Sequence, residues 1–251
     1  MESEAARAAA KLFVQARATG ALLDGLPKGL RPRDARDAYA IQLETIRQIE
    51  DNIAGWKVAL SNEYGLLVGA LIGSRMFETG ATIPTSDMAL VGVEAEIAFR
   101  FDKALPPRER PYDRGEIAAA VTAFPAVEIL DSRFRDYEGT PVIDRAADFM
   151  SNSAFVAGRP RDDWRSFDLG KLEACLRIDG TEVVRLVGGH AAGDPLLPAI
   201  ALVNQFRTSN GVSTGQVVTT GSYTGLQFVR KTSSVQALFE GFGVVDLDLL
   251  S

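Results

Sequence analysis

Between positions 91 and 101 the chain alternates without a break: Val91, Val93, Ala95, Ile97, Phe99 and Phe101 fall on one side, and Glu94, Glu96, Ala98 and Arg100 on the other. A period of two specifies a β-strand with one buried face, and a one-residue slip in its pairing would turn every apolar side chain outward. The other face carries two glutamates at i and i+2, whose Cα atoms stand roughly 6–7 Å apart at the strand rise. Glutamate is depleted in strands. Either this face is wet, with Arg100 as partial counter-charge, or a cation sits between the two carboxylates.

A third acid bears on that choice. Glu128, in Pro125-Ala126-Val127-Glu128-Ile129-Leu130, lies in an apolar run that would bury it, and a buried carboxylate must be paired, coordinated or protonated. Glu94, Glu96 and Glu128 are therefore the candidate metal ligands. An all-oxygen set favours Mg²⁺, Mn²⁺ or Ca²⁺ over zinc or copper, and three carboxylates leave positions open for water and substrate.

With 251 residues, 46% of them hydrophobic, the chain can build one sizeable core, or a core with a small appended subdomain. The net charge of -6 and the lack of a basic block argue against a nucleic-acid partner. Cys175 is the single cysteine, which excludes an internal disulfide and suits a core filler in a reducing cytosol. The first residues carry acids with no apolar segment behind them, and no run approaches the ~18 apolar residues of a membrane span. A soluble cytoplasmic protein without a membrane partner is expected.

Helical spacing predicts a first helix over 5–20 and a second after Pro32, capped by Asp34, with Ala35, Tyr39, Leu43 and Ile46 as its core stripe. From Gly55 the pattern changes to short apolar runs punctuated by Gly and Pro, at 56–60, 91–101, 127–130, 154–156, 176–178, 182–186 and 217–220. A short helix within 112–121 and another from Asp194-Pro195 to Asn210-Gly211 interrupt them. The class is α+β: helices in front, and a mixed β-sandwich or roll behind.

Other residues offer chemistry. Lys57 sits in the apolar strand Gly55-Trp56-Lys57-Val58, either facing an anion or carrying its ammonium out to water at a strand edge. The loop Thr219-Thr220-Gly221-Ser222-Tyr223-Thr224-Gly225 could hold an oxyanion or be a simple turn. Arg133 follows the Glu128 strand and could reach the same cavity or pair with Asp131 or Asp136. His190, the only histidine, has no neighbouring serine or cysteine and reads as surface or structural.

Taken together, Asp37-Ala38-Tyr39-Ala40-Ile41-Gln42, the Gly55-Trp56-Lys57 strand, Val93-Glu94-Ala95-Glu96-Ile97-Ala98, Ala126-Val127-Glu128-Ile129 with Ser132-Arg133 and Arg135-Asp136, Ala147-Asp148 with Ser151, and Thr220-Gly221-Ser222-Tyr223-Thr224-Gly225 resemble the fumarylacetoacetate hydrolase superfamily. The closest resemblance is to its 2-keto-4-pentenoate hydratase branch, which groups 2-oxopent-4-enoate hydratases with 4-oxalocrotonate decarboxylases. It implies a mixed β-sandwich roll with a small N-terminal helical subdomain, divided here as 1–72 and a catalytic 73–251. It further implies Mg²⁺ or Mn²⁺ on Glu94, Glu96 and Glu128, a 2-oxo acid substrate, and a homo-oligomer. By the same resemblance Lys57 neutralises substrate or enolate charge, while Ser222, Thr224 and Ser151 hydrogen-bond the substrate carboxylate or a water, and Arg133 is a further substrate-binding candidate. Departures at Ala59, Phe149 and Tyr223 are expected near the pocket.

The implied reaction is hydration of a 2-oxo-alkenoate, of the kind that converts 2-hydroxypenta-2,4-dienoate to 4-hydroxy-2-oxopentanoate in aromatic-compound catabolism. Its rivals are decarboxylation of a 4-oxalocrotonate-type acid, C–C hydrolysis of an acylpyruvate, and a non-catalytic binding or scaffolding subunit. Residues 1–189 contain no histidine, which counts against the His-Glu pair that hydrolases of this superfamily carry near the front.

Overall fold

The alanine-rich start of the chain forms α1 (Ser3–Thr19), whose small Ala6, Ala9 and Ala10 let it lie close against α2 (Ala35–Gln48). Gly20 ends α1 in the left-handed conformation and donates its N–H to the Ala16 carbonyl, and the Asp34 carboxylate accepts from Asp37 N to start α2. The computed structural model describes all of residues 1–251.

After α2 come β1 (Ile53–Ser61), β2 (Gly65–Ile72), β3 (Met76–Glu78), β4 (Ala81–Pro84) and β5 (Gly92–Phe101). The short α3 (Arg114–Ala118), closed by a capping box between Asp113 and Glu116, leads into β6 (Val121–Leu130), α4 (Val142–Ala147) and β7 (Asn152–Ala157). The rest of the chain is β8 (Glu173–Ile178), β9 (Thr181–Val187), α5 (Leu196–Phe206), β10 (Val217–Ser222), β11 (Gln227–Phe228), β12 (Ser234–Phe239) and β13 (Gly243–Leu250).

Two sheets result. The larger runs β2-β1-β10-β5-β6-β7-β3, with β11 also paired to β5, and the smaller runs β4-β13-β12-β8-β9. The apolar side of β5 faces the smaller sheet, so Val93, Ala95, Ile97, Phe99 and Phe101 share one core with Leu176, Val235, Ala237, Phe239, Val245 and Leu247. Leu202, Val203 and Phe206 of α5 close that core beside Trp56. On the opposite face of the larger sheet α1, α2 and α4 pack over β2, with Phe13, Ile41, Leu67, Phe134 and Ala147 between them. This is the expected α+β architecture.

Two expectations need correction, and one of the alternative readings falls away. The buried face of α2 is Ala38, Ile41, Gln42, Thr45 and Ile46, and Leu43 points to solvent. A helix gripped by α1 on one side and by β2 and α4 on the other turns a wider face inward than one apolar stripe. A boundary at residue 72 would cut through the larger sheet, because β1 and β2 are two of its strands and only 1–52 is helical cap. Arg100 pairs with Asp102, not with the glutamates.

Gln42 shows why a polar side chain belongs in that interface. Its Nε2 donates to Val68 O at 2.7 Å and Ala146 O at 2.6 Å, and its Oε1 accepts from Ala70 N at 2.9 Å. It thereby satisfies the open edge of β2, which has no further strand beside it. Gln42→Leu, which strands these buried backbone groups, is expected to lower unfolding free energy by about 2–4 kcal/mol in urea titrations, whereas Leu43→Gln should change it by less than about 0.5 kcal/mol.

Candidate metal centre and substrate cavity

The β5–β6 register sets Glu94 directly opposite Glu128. Like charges in that position destabilise a sheet unless something neutralises them. Glu96, one pleat along on the same face, completes a triad in which one carboxylate oxygen from each residue lies within 4.8 Å of the others. Glu96 and Glu128 are completely buried and Glu94 is partly so.

Lys57 is the one cation at this centre. Its Nζ lies 3.3 Å from Glu94 Oε2 and 3.0 Å from Glu128 Oε2, reached across β10 from β1. Of the two sequence readings, the anion-facing one describes the structure. Burial alone would lower the ammonium's pKa, but Glu128, Glu94 and Glu96 outweigh it and hold the group above the usual lysine range.

The donor set fits a divalent cation. Three carboxylates and one ammonium carry a net charge of about -2 when all are ionised, which one such ion would cancel. Glu96 Oε1 is buried without a hydrogen-bond partner, and so is Glu128 Oε2, whose contact with Lys57 is at ion-pair distance but not aligned as a hydrogen bond. The remaining oxygens are held: Asn152 Nδ2 donates to Glu128 Oε1 at 3.0 Å, while Thr219 Oγ1 and Gly221 N donate to Glu96 Oε2, the latter at 3.0 Å. Such outer partners aim ligand oxygens at a metal. Burial, then the charges of Glu128 and Glu94, push the Glu96 carboxyl up to about 8. Burial also raises Glu128, against the opposing pull of Lys57 and Asn152.

Beside Lys57 opens a cavity of about 160 Å³, lined by Leu67, Tyr137, Val142, Arg145, Ala146, Met150 and Ser151. Its wall depends on an unusual backbone turn. Phe149, Met150 and Ser151 all have positive φ, at 53°, 53° and 63°, a strained state of order 1–3 kcal/mol per non-glycine residue. Packing holds it there. Phe149 is fully buried, its ring lies 4.8 Å below the Arg17 guanidinium, and its carbonyl occupies the space where a Cβ on Gly69 would stand, 2.4 Å away. Ser151 N also bonds Asp148 O, and Asp131 N bonds Ser151 O.

The other anticipated residues fall elsewhere. Arg133 is buried between Asp131 and Asp148, at 3.2 and 2.6 Å, and lines a separate cavity with Arg17 and Arg75. Thr224 Oγ1 is committed to the backbone, accepting from Ala95 N and donating to Gly225 O. Ser222 stands opposite Glu96, and its Oγ accepts from Thr224 N. The hydroxyl-rich loop does hold an anion, but it is the Glu96 carboxylate. His190 is buried, not a surface residue: Nδ1 accepts from Ala192 N, so the neutral ring donates from Nε2 to Thr220 O at 2.9 Å and braces this loop from behind. Tyr223 points into the inter-sheet core, where its hydroxyl donates to Leu169 O. Sequence reasoning missed Asn152 as a Glu128 partner, and Tyr137 and Arg145 as cavity walls. An asparagine just ahead of the apolar run 154–157 was the available signal for the first.

Glu96 predicts a pH signature. Without a cation it stays protonated in the folded chain up to about pH 8, whereas unfolded it ionises near 4.5. Its stabilising contribution is complete below about pH 4.5 and is lost as pH rises through 8. A cation requires the ionised form and reverses the trend. The rise in Tm on adding Mg²⁺ should therefore be small at about pH 5.5 and grow toward about pH 8.5, and Glu96→Gln should flatten it; an equal rise at both ends would contradict the assignment.

No family model matches the chain. Among curated proteins it is 29% identical over 243 residues to 2-keto-4-pentenoate hydratase of Burkholderia vietnamiensis, covering 92% of each chain. It is 28% identical over 224 residues to 4-oxalocrotonate decarboxylase of Pseudomonas putida, covering 83% of each. Among solved structures, 4-oxalocrotonate decarboxylase from Pseudomonas putida G7, complexed with magnesium and adipate, superimposes with a TM-score of 0.85 at 21% identity, covering 100% of this chain and 99% of that one. A 2-hydroxyhepta-2,4-diene-1,7-dioate isomerase from Mycobacterium marinum superimposes at 0.57 and 13% identity, covering 80% and 76%. The chain thus has the fold of the fumarylacetoacetate hydrolase superfamily and is a homologue of its 2-keto-4-pentenoate hydratases and 4-oxalocrotonate decarboxylases.

Proposed function

We propose that the chain is a divalent-metal-dependent hydro-lyase that adds water to a 2-oxo-alkenoate, of the kind that turns 2-hydroxypenta-2,4-dienoate into 4-hydroxy-2-oxopentanoate. The observation that carries the reading is the convergence of Glu94, Glu96 and Glu128 with Lys57 at the edge of a small cavity. Sequence relatives with this activity in their names span nearly the whole chain.

Glu94, Glu96 and Glu128 would hold the ion. A Mg²⁺ or Mn²⁺ ion bound there would supply Lewis-acid stabilisation to negative charge developing on a 2-oxo acid. The chain's own residues then have distinct tasks. Asn152, Thr219 and Gly221 N fix the carboxylate oxygens in advance. Lys57, held as an ammonium, lies where it can balance the substrate carboxylate or the enolate. Leu67 and Met150 make one side of the cavity apolar, which strengthens both interactions. Ser151, set by the left-handed turn, offers a hydroxyl to the substrate or to the attacking water.

Decarboxylation of a 4-oxalocrotonate-type acid would use the same enolate, and decarboxylases stand among both the sequence relatives and the structural neighbours. The two separate by product. Mg²⁺-loaded protein incubated with 2-hydroxypenta-2,4-dienoate should lose the diene ultraviolet band without CO₂ release; CO₂ from 2-oxo-3-hexenedioate would favour the decarboxylase, and silence with both a non-catalytic subunit. Glu94→Gln should lower turnover roughly a hundredfold at limiting Mg²⁺ while leaving the fold intact, and full activity in that variant would refute the ligand assignment.

The same reading includes a cytoplasmic homo-oligomer. Its support is the single, buried, unpaired Cys175, together with the edge strand β9, which exposes Val183, Leu186 and Val187.

A further inference from the structure

The cavity that holds Arg133, about 220 Å³ in volume, gathers more unmet polar atoms than the triad does. Seven buried side-chain nitrogens and oxygens in the chain have no hydrogen-bond partner. Two are the triad's oxygens, and three belong to guanidinium groups that line this one cavity: Arg17 Nε, Arg75 Nη2 and Arg133 Nη2. Arg17 comes from α1, Arg75 from the link between β2 and β3, and Arg133 from the segment after β6. Only the docking of the helical cap on the larger sheet brings them together.

Each guanidinium is pinned through its other nitrogens. Arg17 Nη2 donates to Asp148 Oδ1 at 2.8 Å, with the group lying over the Phe149 ring. Arg133, only 3% exposed, donates from Nε to Asp148 Oδ2 at 2.6 Å and from Nη1 to Asp131 Oδ2 at 3.2 Å. Arg75 Nε donates to Ser153 O at 2.9 Å. The lining charges balance, since Asp51, Asp87 and Asp131 share the wall. The hydrogen bonds do not. Asp131 Oδ1 accepts from the backbone of Ala89, Leu90 and Ser132, and Asp51 accepts from Asn52 N and from both N and Oγ of Ser74. Asp87 stands off from Arg75 at 3.9 Å with its side chain 55% exposed. A single buried carboxylate, Asp148, thus serves two guanidinium groups, and burial together with the charge of Arg133 lowers the Arg17 pKa to about 10.

The missing partner is an acceptor with several oxygens. Donors fixed before a ligand arrives reduce the ordering cost of binding, and guanidinium bonds to an oxyanion are charge-assisted. Three donors supplied by three chain segments suit a tetrahedral anion better than a planar one. The cavity holds several times the roughly 30 Å³ that one water occupies, enough for an ion of that kind.

We propose that Arg17, Arg75 and Arg133 form a binding site for a tetrahedral oxyanion of the phosphate or phosphoryl type, separate from the cavity beside Lys57. The site stands independently of the reaction at the triad. An anion held there ties the end of α1 to the strand links beneath it, so binding stabilises the attachment of the helical cap.

Calorimetric titration of inorganic phosphate into the Mg²⁺-loaded protein, in a chloride buffer, should show one saturable site. Arg75→Gln should weaken it roughly tenfold or more, and Arg75→Lys by less, since an ammonium keeps the charge but not the fork. Arg17→Gln should weaken it likewise, whereas Lys57→Gln, in the other cavity, should leave phosphate affinity unchanged. Phosphate should also raise the Tm of the wild type and not that of Arg75→Gln. Glycerol 3-phosphate separates the two sources of the ligand: tighter binding than inorganic phosphate supports the phosphoryl group of a metabolite, and weaker binding supports the free ion. Lack of saturable binding in the wild type, or affinity that survives both arginine-to-glutamine changes, would overturn the inference. So would binding that vanishes with Lys57→Gln or on removal of Mg²⁺, which places the anion at the triad. Circular dichroism of the variants guards against misfolding.

Discussion

Compensation of charge on one face of the larger sheet is the constraint around which the rest is arranged. Register alone forces Glu94 and Glu128 side by side, and Glu96 is sealed from water next to them. A lone buried carboxylate shifts toward its neutral form, and two facing ones do so more strongly. The chain answers with one lysine and with directed hydrogen bonds, which still leave two oxygens without a hydrogen-bond partner. The incomplete answer is what suits the centre to a cation. A second lysine in its place would have made a structural salt-bridge cluster.

The topology explains how a side chain from the N-terminal quarter reaches residues on the central hairpin. β1 pairs in parallel with β10, and β10 pairs antiparallel with β5, so Lys57 and Glu94 are separated by a single strand. That strand contributes as well. An irregularity in its pairing between Thr219 and Ser222 turns the Gly221 N–H toward Glu96, and Gly221 adopts φ 123° there, which a residue with a Cβ rarely adopts. His190 supports the same bulge through Thr220 O. A loop whose composition suggested capture of a substrate anion is spent on orienting Glu96 of the carboxylate triad.

The legible parts of this protein were those governed by short-range periodicity. The alternation in β5 fixed which side faces the core, the Asp34 cap marked the start of α2, and acids at i and i+2 exposed half of the centre. What stayed hidden depended on packing between distant segments. Gln42 looks like an outward residue until β2 proves to be a sheet edge in need of a partner. Arg133 sits one turn of chain from the Glu128 strand, yet Asp148, fifteen residues later, draws it away from the cavity. Arg145 and Tyr137 lie in loop and short-helix sequence with no pattern of their own, and only the docking of α4 brings them beside Lys57.

The left-handed turn at residues 149–151 carries a consequence for how the protein ages under heat. Its conformation is imposed by the helical cap, through Arg17 above Phe149, and by the bare backbone of Gly69 below. Relaxing that turn requires that the α1–α2 cap lift, since Phe149 packs against Ile46 as well as under Arg17, while the two-sheet core beneath stays closed. The recess beside Lys57 should then lose its shape before the bulk of the secondary structure melts, so catalytic competence and global unfolding part company, with inactivation coming first.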